Sequence, residues 1–184
     1  MKKFSALLLA AALLAVACKK DDNSVTEPDH DHDHEAELIT TVALTFVGPD
    51  EAELISNFKF SDLDGAGGNV PVIDTIRLNA GAYYSLDISF LDESKSPAED
   101  ITAEVKEEDD EHLICFSSTL SGLSIERMDT DGTYGVGLNS RWTHNGNAEN
   151  GSLTLTLKHQ PGVKDGTCAP GETDVEVTFP VVYQ

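Results

Sequence analysis

Ser152-Leu153-Thr154-Leu155-Thr156-Leu157-Lys158-His159 alternates apolar and polar side chains almost without a break. On a β-strand successive side chains point to opposite faces, so Leu153, Leu155 and Leu157 line one face and Thr154 and Thr156 the other. Threonine is β-branched and suits a strand. The same period recurs along the chain. Glu37–Val47 carries Leu38, Val42, Leu44 and Phe46 at even positions, and Leu54–Phe60 carries Phe58 and Phe60. Tyr83–Leu91 alternates through Tyr84, Leu86, Ile88 and Phe90, and Asp174–Val182 through Val175, Val177 and Phe179. Val70–Leu78, His112–Phe116, Leu123–Arg127 and Tyr134–His144 have the same strand character, which makes about nine strands in all.

Turn residues separate these runs: Gly48-Pro49-Asp50, Asp62 to Gly68, Asn79-Ala80-Gly81, Asp129-Thr130-Asp131-Gly132 and Asn145 to Gly151. The last of these lies between Tyr134–His144 and Ser152–His159, so those two strands are expected to form a hairpin. One stretch departs from the pattern. Ser96-Pro97-Ala98-Glu99 reads as a helix N-terminus, and Ile101 and Val105 give a short apolar stripe, so a helix of one or two turns is expected over 98–106. The five consecutive acids Glu107-Glu108-Asp109-Asp110-Glu111 then form an exposed bend. With no alternating β-α units, the expected fold is all-β. It is an antiparallel β-sandwich, Ig-like or similar, with one short helix and a partly closed barrel as the alternative.

The 184 residues carry 33 acidic against 12 basic side chains, a formal net charge of −21. That balance disfavours nucleic acid, whose phosphates require clustered Lys and Arg, and it favours cations. The N-terminus begins with Lys2-Lys3, then an apolar run Phe4–Val16 too short to span a bilayer, then Ala15-Val16-Ala17-Cys18. This resembles a bacterial lipobox, which implies a lipoprotein signal peptide over residues 1–17 and Cys18 as the acylated first residue of the mature chain. Acyl chains contribute about 0.8 kcal/mol per buried CH₂, so a multiply acylated cysteine anchors stably to a membrane. Lys19-Lys20-Asp21-Asp22-Asn23 resembles the export signal of surface-exposed lipoproteins of the Bacteroidota. The expected location is the outer membrane, facing outward.

Residues 18–36 read as a polar tether and 37–184 as the β-domain. Within the tether, Asp29-His30-Asp31-His32-Asp33-His34-Glu35 places three of the six histidines at alternate positions between carboxylates. Imidazole and carboxylate are donors that Zn²⁺ accepts, with Cu²⁺ second. Candidate ligands are His30, His32 and His34 with Asp31, Asp33 or Glu35. The alternative is an inert, solvated tether. On the β-domain, His112 with its five acidic neighbours is a second candidate cation site, set against a plain solvated charge run. His144 and His159, at the ends of the expected hairpin strands, could also share an ion.

Cys115 and Cys168 form a candidate disulfide, with buried free thiols as the alternative. Asp62-Leu63-Asp64-Gly65 and Asp129-Thr130-Asp131-Gly132 resemble the first half of a calcium loop. Neither continues with the later acidic ligands, so both read as turns. Gly-x-Ser-x-Gly, His-Glu-x-x-His, P-loop and dinucleotide motifs are all missing, and the expectation is a non-enzymatic protein.

Asp100-Ile101-Thr102, Glu111-His112, Asp129-Thr130-Asp131-Gly132, Leu157-Lys158-His159-Gln160-Pro161 and Asp174 to Pro180 together resemble a family of small Bacteroidota surface lipoproteins with a His/Asp-rich tether. The similarity runs over about residues 35–184. That family is commonly labelled a type 1 periplasmic-binding fold superfamily, which implies a two-lobed alternating α/β architecture. No activity follows from the resemblance. The functional expectation from the residues is a surface lipoprotein that binds a divalent transition metal for scavenging, buffering or delivery to an outer-membrane receptor. The alternative is a glycan- or protein-binding β-module that presents aromatics such as Trp142 or Tyr134, residues that fit the core equally well.

Overall fold

The computed structural model describes residues 38–49, 55–65 and 67–184. The expected leader, the acylated Cys18 and the ligand stretch His30, Asp31, His32, Asp33, His34 and Glu35 lie outside those residues. The described residues form eleven strands and one helix. In chain order these are β1 (Thr41–Val47), β2 (Ile55–Ser61), β3 (Val72–Ile73), β4 (Ile76–Leu78), β5 (Tyr83–Asp92), β6 (Glu99–Asp100), α1 (Ile101–Glu107), β7 (His112–Ser118), β8 (Leu123–Arg127), β9 (Asn139–His144), β10 (Glu149–His159) and β11 (Glu172–Tyr183).

Two sheets result. The first runs β3-β2-β1-β5-β9-β8, with β6 added against β5, and the second runs β4-β11-β10-β7. Every pairing is antiparallel except β4 with β11. The fold is therefore all-β and sandwich-like, as the alternation implies. It is not the alternating α/β arrangement attached to the resembled family.

The apolar faces of the two sheets meet in one core. Leu44, Phe46, Leu86, Phe90 and Trp142 of the first sheet are fully buried, as are Leu153, Leu155 and Phe179 of the second. Trp142 stands edge-on to Phe46 at 5.0 Å between centroids and to Phe116 of the opposite sheet at 6.0 Å, a geometry that the ring quadrupole favours. Its indole N–H donates to Ser140 Oγ at 2.9 Å, so the buried polar atom is satisfied.

Four expectations need correction. Val70–Leu78 is not one strand. Asp74 N–H donates to Lys59 O at 3.0 Å and Asp74 Oδ2 accepts from Lys59 N–H at 2.9 Å, after which the chain leaves the first sheet and joins the second at Ile76. The helix starts at Ile101 rather than near Ala98, because Glu99–Asp100 pairs with β5 and Asp100 Oδ1 caps the helix by accepting from Thr102 N–H at 3.0 Å. Strand character begins at Asn139, not Tyr134, and the preceding loop is held by Asp129, which accepts from Gly137 N–H and Asn139 N–H.

The hairpin of β9 with β10 does not form. Both edges of β9 are already taken, by β5 and β8, so β10 crosses to the second sheet and pairs with β7 and β11. Two apolar faces that would lie side by side in a hairpin instead face each other across the core.

Cys115 on β7 and Cys168 in the loop after β10 are joined, with Cα atoms 6.0 Å apart and 53 residues of separation. Closing that loop lowers the entropy of the unfolded chain by an amount equivalent to about 4 kcal/mol. Replacing both cysteines by serine is expected to lower the unfolding free energy by about 2–4 kcal/mol. Urea midpoints of the oxidised protein and the double variant measure the difference.

Candidate metal centre

The functional candidates gather where β7 begins and β10 ends. The register of these strands sets Phe116 opposite Leu155, Ile114 opposite Leu157 and His112 opposite His159. Since alternate residues share a face, the two imidazoles continue the apolar stripe of each strand out to the end of the sandwich. Their rings stack at 4.8 Å between centroids, 12° from parallel.

The helix and acidic bend bring in carboxylates. Ile101 and Val105 bury the helix, and Thr102 ties it to β5 by accepting from Phe90 N–H at 2.9 Å and donating to Phe90 O at 3.1 Å. At the helix C-terminus the carbonyl of Glu108 accepts from Glu111 N–H, from His112 N–H and from His112 Nδ1–H, the last at 3.0 Å. Fixing Nδ1 as the donor leaves the lone pair on Nε2, the arrangement that outer-shell hydrogen bonds give to metal-binding histidines. One ligand atom each from Glu108, His112 and His159 then lies within 4.8 Å of the other two. A tetrahedral Zn²⁺ shell needs ligand spacings of about 3.4 Å, so closure on an ion draws these groups in by at most about 1.4 Å. Glu111 Oε2 stands 3.3 Å from His159 Nε2.

The acidic bend is clamped rather than freely exposed. Glu107 and Asp110 face solvent, whereas Glu108, Asp109 and Glu111 are half-buried. Gln160 N–H donates to Glu111 O at 2.6 Å, and Lys164 Nζ donates to Asp109 O at 2.6 Å. The same buried ammonium pairs with Asp131 Oδ2 at 2.7 Å. Asp131 Oδ1 accepts from Thr133 N–H and Tyr134 N–H, both at 2.7 Å, so Asp129–Gly132 is a turn, as its composition implies. Asp62–Gly65 is likewise a turn, with Asp64 Oδ2 accepting from Asn69 N–H at 3.0 Å.

Asp174 lies beside the cluster, against His112. β11 gains one residue against β10 between the pairs Leu157–Val175 and Lys158–Thr173, and the extra residue is Asp174. Such bulges re-aim a side chain. Asp174 Oδ2 stands 4.0 Å from His112 Nε2, is buried, and accepts no hydrogen bond. Burial pushes the Asp174 carboxyl above its ordinary value, against the opposing pull of His112 and His159.

His144 and His159 do not come together. They lie at opposite ends of β10: His144 Nε2 is 3.4 Å from Glu149, the first residue of β10, while His159 is its last. His144 stacks on Tyr183 at 3.8 Å, and Glu149 is held to about 2 by donors from the Ser121 and Gly122 backbone and the Ser121 hydroxyl. The partner of His112 is therefore His159, which the expected hairpin assigned elsewhere. Glu108 was legible only as one of five consecutive acids, and Asp174 only as the first residue of a strand. Trp142, open to either a binding-surface or a core role from sequence, is fully buried in the core.

No protein family matches the chain, and comparison with curated proteins and with solved structures finds no match. The fold and site themselves define a two-sheet β-domain with a His/Glu cluster at one end that could hold a metal ion.

The Asp131–Lys164 pair carries a pH signature. The Lys164 ammonium, followed by the Tyr134 backbone donor, holds the Asp131 carboxyl at about 2, below its ordinary 3.8. Because the folded value is the lower one, this stabilisation is fully present above 3.8 and is lost as pH falls toward 2. Asp131→Asn is expected to flatten that part of the acid-unfolding profile, followed by circular dichroism between those limits.

Proposed function

We propose that this protein is a surface lipoprotein whose β-domain binds a divalent transition metal at Glu108, His112 and His159, Zn²⁺ first and Cu²⁺ second. The observation that carries the reading is the approach of one ligand atom each from Glu108, His112 and His159 to within 4.8 Å of the other two, the glutamate being half-buried and the two histidines paired on neighbouring strands. Two nitrogens and a carboxylate oxygen are a donor set suited to Zn²⁺. The net charge of −21 raises the local concentration of cations around such a site. In this reading Cys18 anchors the chain in the outer membrane. His30, His32 and His34 collect metal loosely with Asp31, Asp33 and Glu35, and the domain site holds it for buffering or for delivery to a receptor. No chemistry on a substrate is assigned to it.

A second reading, a non-enzymatic module for glycans, has one observation in its favour. A cleft of about 290 Å³ lies beside the acidic bend, floored by Ile88, Val136 and Leu138 and rimmed by Asp87, Asp129 and Asn139. Polar side chains around an apolar floor suit sugar hydroxyls and ring faces. Sugar binding that survives His112→Ala and His159→Ala, in a chain that binds no zinc, replaces the metal reading.

Calorimetric titration of the full-length chain with Zn²⁺ tests the proposal. Two classes of site are expected. His112→Ala or His159→Ala abolishes the tighter class, with a loss of at least about 100-fold, at the upper end of what outer-shell partners produce. Replacing His30, His32 and His34 together by alanine removes only the weaker class. Binding no tighter than millimolar, or a tight class indifferent to both domain histidines, overturns the assignment.

A further inference from the structure

Resting on the metal reading above, we infer that Asp174 is the fourth protein ligand, and that the site is a closed, four-coordinate one that retains its ion rather than an open one that presents it to a substrate. Three observations carry this. The first is position: Asp174 Oδ2 stands outside the three-residue cluster but 4.0 Å from His112 Nε2, so an ion that draws the three together to about 3.4 Å has this oxygen within reach on the His112 side. The second is satisfaction: this oxygen is buried and accepts no hydrogen bond, although a buried polar atom normally has a partner. The third is backbone: the residue is the extra one of a β-bulge in an otherwise regular strand of twelve residues. The regular alternation of β11 would not place this carboxylate beside the face that His159 continues from β10, and the bulge does.

A metal ion accounts for all three together. It takes the lone pair that no N–H reaches, and it sits between a carboxylate and an imidazole that stand just too far apart to bond each other directly. With Glu108, His112, His159 and Asp174 all bound, the shell contains two nitrogens and two oxygens with no vacant position. Closed four-coordinate shells are the structural type for Zn²⁺, whereas catalytic sites keep one position for water. Retention also follows from the supports. His112 and His159 sit on paired strands, Asp174 on the strand beyond them, and Glu108 on a bend held by Lys164.

The test uses a full-length chain carrying His30→Ala, His32→Ala and His34→Ala, so that only the domain site is read. In this parent, Co²⁺ substituted for Zn²⁺ is expected to give the intense visible absorption of a four-coordinate ion. Asp174→Ala is expected to lower Zn²⁺ affinity at least about 100-fold, and to convert the Co²⁺ spectrum to the weak absorption of a higher-coordinate, hydrated ion. The metal-free melting temperature of Asp174→Ala is expected to be unchanged or higher, since a carboxylate whose buried oxygen has no donor is removed. That last readout separates ligation from a structural role as the partner of His112, in which case the metal-free protein would melt lower. Zn²⁺ affinity within about threefold of the parent and an unchanged Co²⁺ spectrum overturn the role of Asp174 while leaving the three-residue site standing. A parent that binds no Zn²⁺ overturns both readings.

Discussion

The antiparallel register of β7 against β10 decides most of what this domain is. Leu153, Leu155 and Leu157 must face the opposite sheet to be buried, and Ile114 and Phe116 must do the same on the neighbouring strand. Only one alignment puts both sets inward, since a slip of one residue turns a whole strand inside out. Fully burying side chains of this kind contributes roughly 1.5–3 kcal/mol each. With Leu155 opposite Phe116 and Leu157 opposite Ile114, His159 has no other place than opposite His112. Packing of the core therefore fixes the two imidazoles side by side, with no need for a loop to hold them.

Electrostatics at that end of the sandwich favours an ion. Glu108, Glu111 and Asp174 stand beside two imidazoles, and the nearby cations hold other partners. Lys158 Nζ donates to Gly171 O and Thr173 Oγ1, and Lys164 pairs with Asp131. Carboxylates gathered in partly dry surroundings raise one another's energy, and one of them, Asp174, accepts no donor at its buried oxygen. The fold tolerates this because the strands and the disulfide hold the groups in place. A divalent cation would relieve it.

Local periodicity made the fold class legible, and Leu153 to Leu157 alone excluded a helix at that point. Topology was harder. The four residues between β9 and β10 are as short as a hairpin loop, and nothing local in Asn145–Ala148 records that both edges of β9 are already occupied. That information resides in β5 and β8, far away in sequence. The site suffered the same loss. His112 was visible because it adjoins an acidic run, but its partner depended on strand pairing, so His159 was matched with His144 instead. Asp174 was beyond reach for a different reason: a bulge is a count of residues relative to a neighbour, and one strand read alone has no neighbour.

The two ends of β10 show why a histidine beside a carboxylate is not enough to make a metal site. At the first end His144 meets Glu149, but that carboxylate already accepts from Ser121 N–H, the Ser121 hydroxyl and Gly122 N–H. Its lone pairs are committed to closing a loop. At the other end His159 stacks on His112 and meets Glu111, and against His112 lies a buried oxygen of Asp174 with no hydrogen-bond donor. The residue types are alike, but the number of donors already present differs. Coordination requires lone pairs that backbone N–H groups have not claimed. By that criterion the buried oxygen of Asp174 retains capacity for a cation, and the carboxylate of Glu149 does not.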